Sequence, residues 1–157
     1  MSIHKPTIID GMDKAAAQSA LEIGGGAWTE PASDHTASGT TQSVTVGESV
    51  VFGDLLYIKS DGKWWKADAD AASTMPGLRM ALAAADADAA CSTLVMGLVR
   101  DDTWDWTVGG LIYASTDAGG LTQTAPSGSA DIVQVVGVAY HADKMIFNPS
   151  LVMVEIA

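Results

Sequence analysis

Hydrophobic and polar positions follow a β rhythm from Val44 onward and no clear rhythm before it. Val44-Thr-Val46 alternates, Gly47-Glu48 interrupts it, and Val50-Val-Phe52 follows before Gly53-Asp54 interrupts again. Leu55-Leu-Tyr-Ile-Lys59 and Lys63-Trp-Trp-Lys-Ala67 flank Ser60-Asp-Gly62. Glycine there supplies the positive φ of a tight turn, so the two runs predict a β-hairpin. Residues 67–76 read as a loop. Residues 78–90 carry two signals: alanine dominates and favours helix, while Leu78, Met80 and Leu82 alternate. Set between strands, the alternation decides for a strand running into a turn at 86–90. Residues 92–100 predict another strand. Across 95–156, short β-branched and aromatic runs are cut at close spacing by Gly, Pro, Asn and Asp, the pattern of many short antiparallel strands. The expected fold is all-β, an antiparallel β-sandwich or barrel-like domain over residues 43–157.

Residues 1–42 read as an extended N-terminal arm containing at most one short helix. Helix character is confined to residues 13–21, where Asp13 can cap, the alanine run favours helix and Gly24 can stop it. A helix of that length needs docking to persist. Ile8, Ile9, Leu21 and Trp28 are isolated large apolar residues in a Gly-, Ser- and Thr-rich setting. Such residues are wasteful in a free tail, so they are expected to anchor the arm on a neighbour. Gly24-Gly-Gly26 neither follows a strand nor continues as Gly-Lys-Ser/Thr; it reads as a joint between arm and body, not a phosphate loop.

Two short echoes run through the β region. Gly53-Asp-Leu-Leu-Tyr57 and Gly109-Gly-Leu-Ile-Tyr113 share one form, as do Met96-Gly-Leu-Val99 and Val136-Gly-Val-Ala139. They suggest one strand-turn-strand unit used twice. Trp64 and Trp65 are adjacent and must face opposite sides of a sheet, so one is expected in the core and the other at a subunit contact. Trp104 and Trp106 share a face and are expected in the core.

The run from Asp101-Asp-Thr-Trp-Asp-Trp106 through Gly109-Gly-Leu-Ile-Tyr113 to Gly119-Gly-Leu-Thr-Gln-Thr-Ala-Pro126, followed by Val133-Gln-Val-Val-Gly-Val-Ala139 and Phe147-Asn-Pro-Ser-Leu151, resembles a module of tailed-bacteriophage virion proteins. Capsid decoration (cement) proteins and head or tail fibre tips carry such modules. Pro31-Ala-Ser-Asp-His-Thr-Ala37 and Phe52-Gly-Asp-Leu-Leu-Tyr-Ile-Lys59 belong to the same pattern, so the resemblance covers roughly residues 30–156. It implies a non-enzymatic structural protein, a homotrimer whose partner is the major capsid protein, on the capsid exterior of a virion made in the bacterial host cytoplasm. The alternative it leaves open is a receptor- or glycan-binding fibre tip. Neither coiled-coil heptads nor a Gly-x-y repeat is present to build a fibre shaft, which favours decoration.

Composition sharpens this picture in three places. The 48% hydrophobic content suggests apolar surface that partners cover. A net charge of −11, from 19 acidic and 8 basic residues without a basic cluster, excludes phosphate-backbone binding. No apolar run approaches the ~20 residues of a membrane helix, and Met1-Ser-Ile-His-Lys-Pro6 lacks the features of a secretion signal. A soluble protein with no membrane or nucleic-acid partner is expected.

Candidate chemistry is sparse. His4, His35 and His141 lie in separate segments without a metal-ligand spacing, and His141 with Asp143 reads as a polar turn. Single Cys91 opens an apolar strand, where a buried, inert thiol is expected. The acidic sets Asp68/Asp70, Asp86/Asp88 and Asp101/Asp102/Asp105 could in principle serve glycoside cleavage or calcium. None has the twelve-residue calcium-loop pattern, and solvated turns are the expected reading. No catalytic residue, cofactor or metal is expected; the expected interface residues are Ile8, Ile9, Leu21, Trp28, Trp64 and Trp65.

Overall fold

The structure, a computed structural model, describes residues 28–157. The described chain is all-β, as the alternation predicts. Its strands are β1 (Thr36–Thr45), β2 (Leu55–Ile58), β3 (Trp64–Lys66), β4 (Arg79–Ala81), β5 (Ala90–Arg100), β6 (Leu111–Ala114), β7 (Leu121–Thr122), β8 (Ile132–Val133), β9 (Val135–His141), β10 (Lys144–Phe147) and β11 (Val154–Glu155). One 3-10 turn, Ala72–Thr74, interrupts the loop after β3. Among the described residues no helix is long and apolar enough to cross a membrane.

Nine strands make one antiparallel sheet in the order β3-β2-β4-β5-β10-β9-β6-β7, with β1 added along β5; β8 and β11 form a separate pair. The strand β5 is the spine. One of its edges takes β1 from Thr36↔Arg100 to Thr45↔Ala90. The other is shared: β4 pairs at Thr93 and Leu94, and β10 at Gly97 to Arg100. The ribbon bends between these stretches. Thr40 opposes Met96 while Thr41 opposes Leu94, so Val95 is an extra residue of the β-bulge type. Beside it Gly39 faces Gly97, and a Cβ on Gly97 would lie 2.3 Å from the Ser38 carbonyl oxygen. Only glycine permits that backbone approach.

The bend curls the sheet until its ends meet. The Leu55 N–H donates to Gly119 O at 2.9 Å, Gly119 N–H to Ala67 O at 2.7 Å, and Ala69 N–H to Ser115 O at 2.9 Å. The hairpins β2–β3 and β6–β7, which carry the Gly-x-Leu-aliphatic-Tyr echo, therefore form the two outer ends of the sheet and are joined there.

Period-two alternation sorts the side chains into two cores. Leu55, Met80, Leu94, Ile112, Val136, Met145 and Phe147 fill the larger one inside the curl. Leu56 and Ala81, the immediate neighbours of Leu55 and Met80, turn outward with Val44, Val46, Val50 and Cys91 into a second cluster. Strands β2 and β4 are thus covered on both faces.

Three segments differ from expectation. The expected arm, residues 1–42, takes in nearly all of the Ser/Thr tract 33–43, yet Thr36–Thr45 is a strand. Its β-branched threonines suit a pleated chain, and residues 40–43 are all solvent-facing, so no apolar alternation marks it. Residues 50–52 contribute only an isolated Val50↔Ala85 bridge. The stretch after Phe147 is strand only at Val154–Glu155; Pro149 lacks the N–H a ladder needs.

Candidate functional site

The residues expected at an interface fall into two groups. Ile8, Ile9 and Leu21 lie outside the described residues, as do the short helix at 13–21 and the glycine joint. Trp28 is 40% exposed at the start of the described chain. Trp64 and Trp65 do face opposite ways: Trp65 packs on the larger core and Trp64 on the second. Both are half-buried. The Trp65 indole lies on Gly47, donates from Nε1 to Asp61 at 3.1 Å and carries Lys59 Nζ 4.2 Å above its ring. The Arg79 guanidinium sits 4.9 Å from the Trp64 ring. Each tryptophan is therefore screened by a cation–π contact. Trp104 and Trp106 form a tilted pair with centroids 5.4 Å apart, half-buried against the larger core.

The fully presented apolar side chains are elsewhere. Leu151 is 77% and Val152 75% exposed, with Val154 following at 57%. The backbone of this tail is held by Ile156 N–H donating to Asp131 O and by the β8–β11 pair, so the side chains project from an ordered segment. Val108 and Leu111 are exposed at the entrance to β6. The sequence pattern includes 151–154 among the short strands of 95–156; the signal that sets them apart is Pro149 just upstream, which lacks the N–H a ladder needs. Burying a Leu or Val side chain that is otherwise in water is worth ~1.5–3 kcal/mol.

The segment leading into β1 is fastened to the β9–β10 hairpin by polar contacts. Lys144 Nζ donates to Glu30 Oε1 at 2.6 Å, Tyr140 Oη to Glu30 Oε2 at 3.4 Å, and Arg100 to Ala32 O at 3.2 Å. The hydrogen bond from Lys144 holds the Glu30 carboxyl below its ordinary range. Burial, reinforced by the Glu30 charge, pushes the Tyr140 phenol up to about 12. A raised phenol stabilises the fold fully below its ordinary value, and this contribution is lost as pH rises through about 12. In an ultraviolet titration of phenolate absorbance, one tyrosine is expected to titrate near 12, and Glu30→Gln should move its midpoint partway toward the ordinary phenol value. An unmoved midpoint would separate Tyr140 from Glu30.

The remaining chemistry-bearing groups are dispersed. His141 Nδ1 pairs closely with Asp143 in the turn between β9 and β10, and Asp143 also faces Arg100 Nε at 3.4 Å. Asp102 is taken up by Arg100. Cys91 is buried, and burial pushes its thiol up, away from the reactive thiolate. Asp88 pairs with Lys63, and Asp68 turns back to accept from the Asp70 N–H. One contact went unread in the sequence: Asp34, His35 and Asp101 converge, with ligand-type atoms within 4.8 Å of one another. A shallow pocket of roughly 300 Å³ is lined by Ser115, Thr116, Thr122, Thr124, Ser127 and Asp131 among others. No protein-family model matches the chain, and no curated protein matches it either.

Proposed function

We propose that this chain is a structural virion protein, a capsid decoration or cement protein that binds the major capsid protein on the capsid exterior as a homotrimer and stabilises the shell. The observation that carries the reading is the ordered, outward-facing tail Leu151, Val152 and Val154 on a β-domain whose own cores are already filled. Apolar side chains held in place at that exposure suit a surface that a neighbour covers. The resemblance of residues 30–156 to phage virion modules supplies the kind of neighbour. In this reading the N-terminal arm, with Ile8, Ile9, Leu21 and Trp28, adds grip, and its root is the Glu30 fastening.

The test is addition of the purified chain to empty capsids that lack it. Binding and a higher disruption temperature are expected. The double variant Leu151→Asp/Val152→Asp should fold with an unchanged circular dichroism spectrum and bind about 100-fold more weakly or worse, since two apolar contacts of ~1.5–3 kcal/mol each are lost. Full-strength binding by that variant, or a sedimenting monomer at micromolar concentration, would remove the tail or the trimer from the proposal.

The second reading, a receptor- or glycan-binding fibre tip, draws on the hydroxyl-rich pocket beside Asp131. Sugar sites usually add an aromatic stacking face, and none of the tryptophans lines this pocket. The decoration reading is therefore preferred; a glycan array positive for the wild type and negative for Asp131→Ala would reverse that preference.

A further inference from the structure

We propose that the outer face of the sheet is a docking surface for the chain's own residues 20–27. The register builds an apolar row there. Leu111 of β6 pairs with Val138 of β9, Val138 with Ile146 of β10, Ile146 with Leu98 of β5, and Leu98 with Ser38 of β1. Directly paired residues share a face, so the four aliphatic side chains stand side by side across four strands. Their sequence neighbours Ile112, Ala139, Met145, Phe147 and Val99 point the other way, into the larger core. The row itself belongs to neither core. Leu111 is 47% exposed, Leu98, Val138 and Ile146 are half-buried, and Met96, two residues from Leu98, is 37% exposed. A contiguous apolar row at a surface marks a place where something packs.

The lead-in to β1 points to the occupant. The Thr29 N–H donates to Ser38 Oγ at 2.7 Å, at the β1 end of the row. Glu30 takes up Lys144 and Tyr140, which lie two residues from Ile146 and Val138. Ala32 O accepts from Arg100, two residues from Leu98, and Pro31 is buried. Residues 29–32 are therefore seated on this same face, and the chain runs back from it at Trp28. Neighbouring strands are ~4.8 Å apart, so the row from β5 to β6 is ~15 Å long. An extended chain from Trp28 back to Leu21 spans up to ~23–25 Å, enough to bring Leu21 and Ile23 over any part of the row. These two are the large apolar residues of the segment Ala20-Leu-Glu-Ile-Gly-Gly-Gly-Ala27. The short tether holds them near the row at an effective concentration of about millimolar. A second copy at micromolar concentration has no such advantage, and a net charge of −11 on each chain opposes its approach. The docking describes the free chain and does not rest on the decoration reading.

The experiment is nuclear magnetic resonance on the full chain with labelled methyl groups. Nuclear Overhauser cross-peaks are expected between the methyls of Leu21 or Ile23 and those of Leu98, Val138 or Ile146. The double variant Leu21→Asp/Ile23→Asp should erase them, shift the methyl signals of the row and raise the fluorescence of an apolar-surface dye severalfold. The Met145 methyl signal, inside the larger core, should stay in place and show that the fold persists. Absence of the cross-peaks in the wild type, or a row and dye signal unchanged in the variant, would overturn the docking. In a mixture of labelled and unlabelled chains the cross-peaks should arise within one chain; cross-peaks between chains would place a second copy on the row and overturn it as well. None of these readouts involves capsids, so the docking and the decoration role fail separately.

Discussion

Replacing Phe147 by alanine will lower the free energy of unfolding by about 3–5 kcal/mol, measured by chemical denaturation. Phe147 has no exposed surface and is the largest fully buried side chain among the described residues. It closes β10, where it pairs with Gly97 of β5 on one side and Gly137 of β9 on the other. Directly paired residues share a face, so the ring covers bare backbone on both neighbouring strands. Neither neighbour has a side chain to swing into the hole. Collapse would instead require β5 or β9 to shift, and Gly137 is already packed against the Ile146 carbonyl and the end of Met145. The cost should therefore fall in the upper part of the range. A loss below about 1 kcal/mol would mean that the sheet relaxes into the space.

Gln134→Leu is expected to be comparably damaging, for a polar reason. The Gln134 amide is completely buried yet fully used. Its Nε2 donates to Gly77 O at 2.9 Å and to Ser150 O at 2.6 Å, and its Oε1 accepts from the Gly77 N–H at 2.9 Å. It mimics a strand where none exists, joining the 75–78 loop to the start of the C-terminal tail. Leucine fills similar space and leaves three backbone groups without partners, each costing ~1–3 kcal/mol when buried. A loss of at least about 3 kcal/mol follows, with faster hydrogen exchange at the Gly77 amide. Unchanged protection there would show that water or a backbone shift replaces the side chain.

Much of this architecture can be read from residue order because alternation and turn chemistry report directly on it. Ser60-Asp-Gly62 announces the β2–β3 hairpin, and Gly62 takes the positive φ of 80° that the turn demands. The alternation of Leu78, Met80 and Leu82 correctly outweighed the helix propensity of the alanines around it, since tertiary pairing to Leu55, Leu56 and Leu94 decides the matter. Most of strand β1, Thr36 to Gln42, lies outside the expected β-domain for a physical reason: residues 40–43 face solvent as threonine, glutamine and serine, so this part carries β propensity without an apolar period. That omission hid a second feature. His35 and Asp101 are neighbours only through the Thr36↔Arg100 register, and without β1 no register exists to place them together. That cations screen both Trp64 and Trp65, while Leu151, Val152 and Val154 face water and Met153 between them packs on the larger core, depends on three-dimensional contacts that spacing does not encode.

Because β5 bonds to β4 over its first half and to β10 over its second, with β1 running behind both, it is common property of the two ends of the sheet. Neither end can melt away and leave the other with a complete edge. The molecule is thereby wired for all-or-none behaviour: a load applied at one margin is distributed through a continuous backbone to the opposite margin, and the fold yields as a whole or holds as a whole.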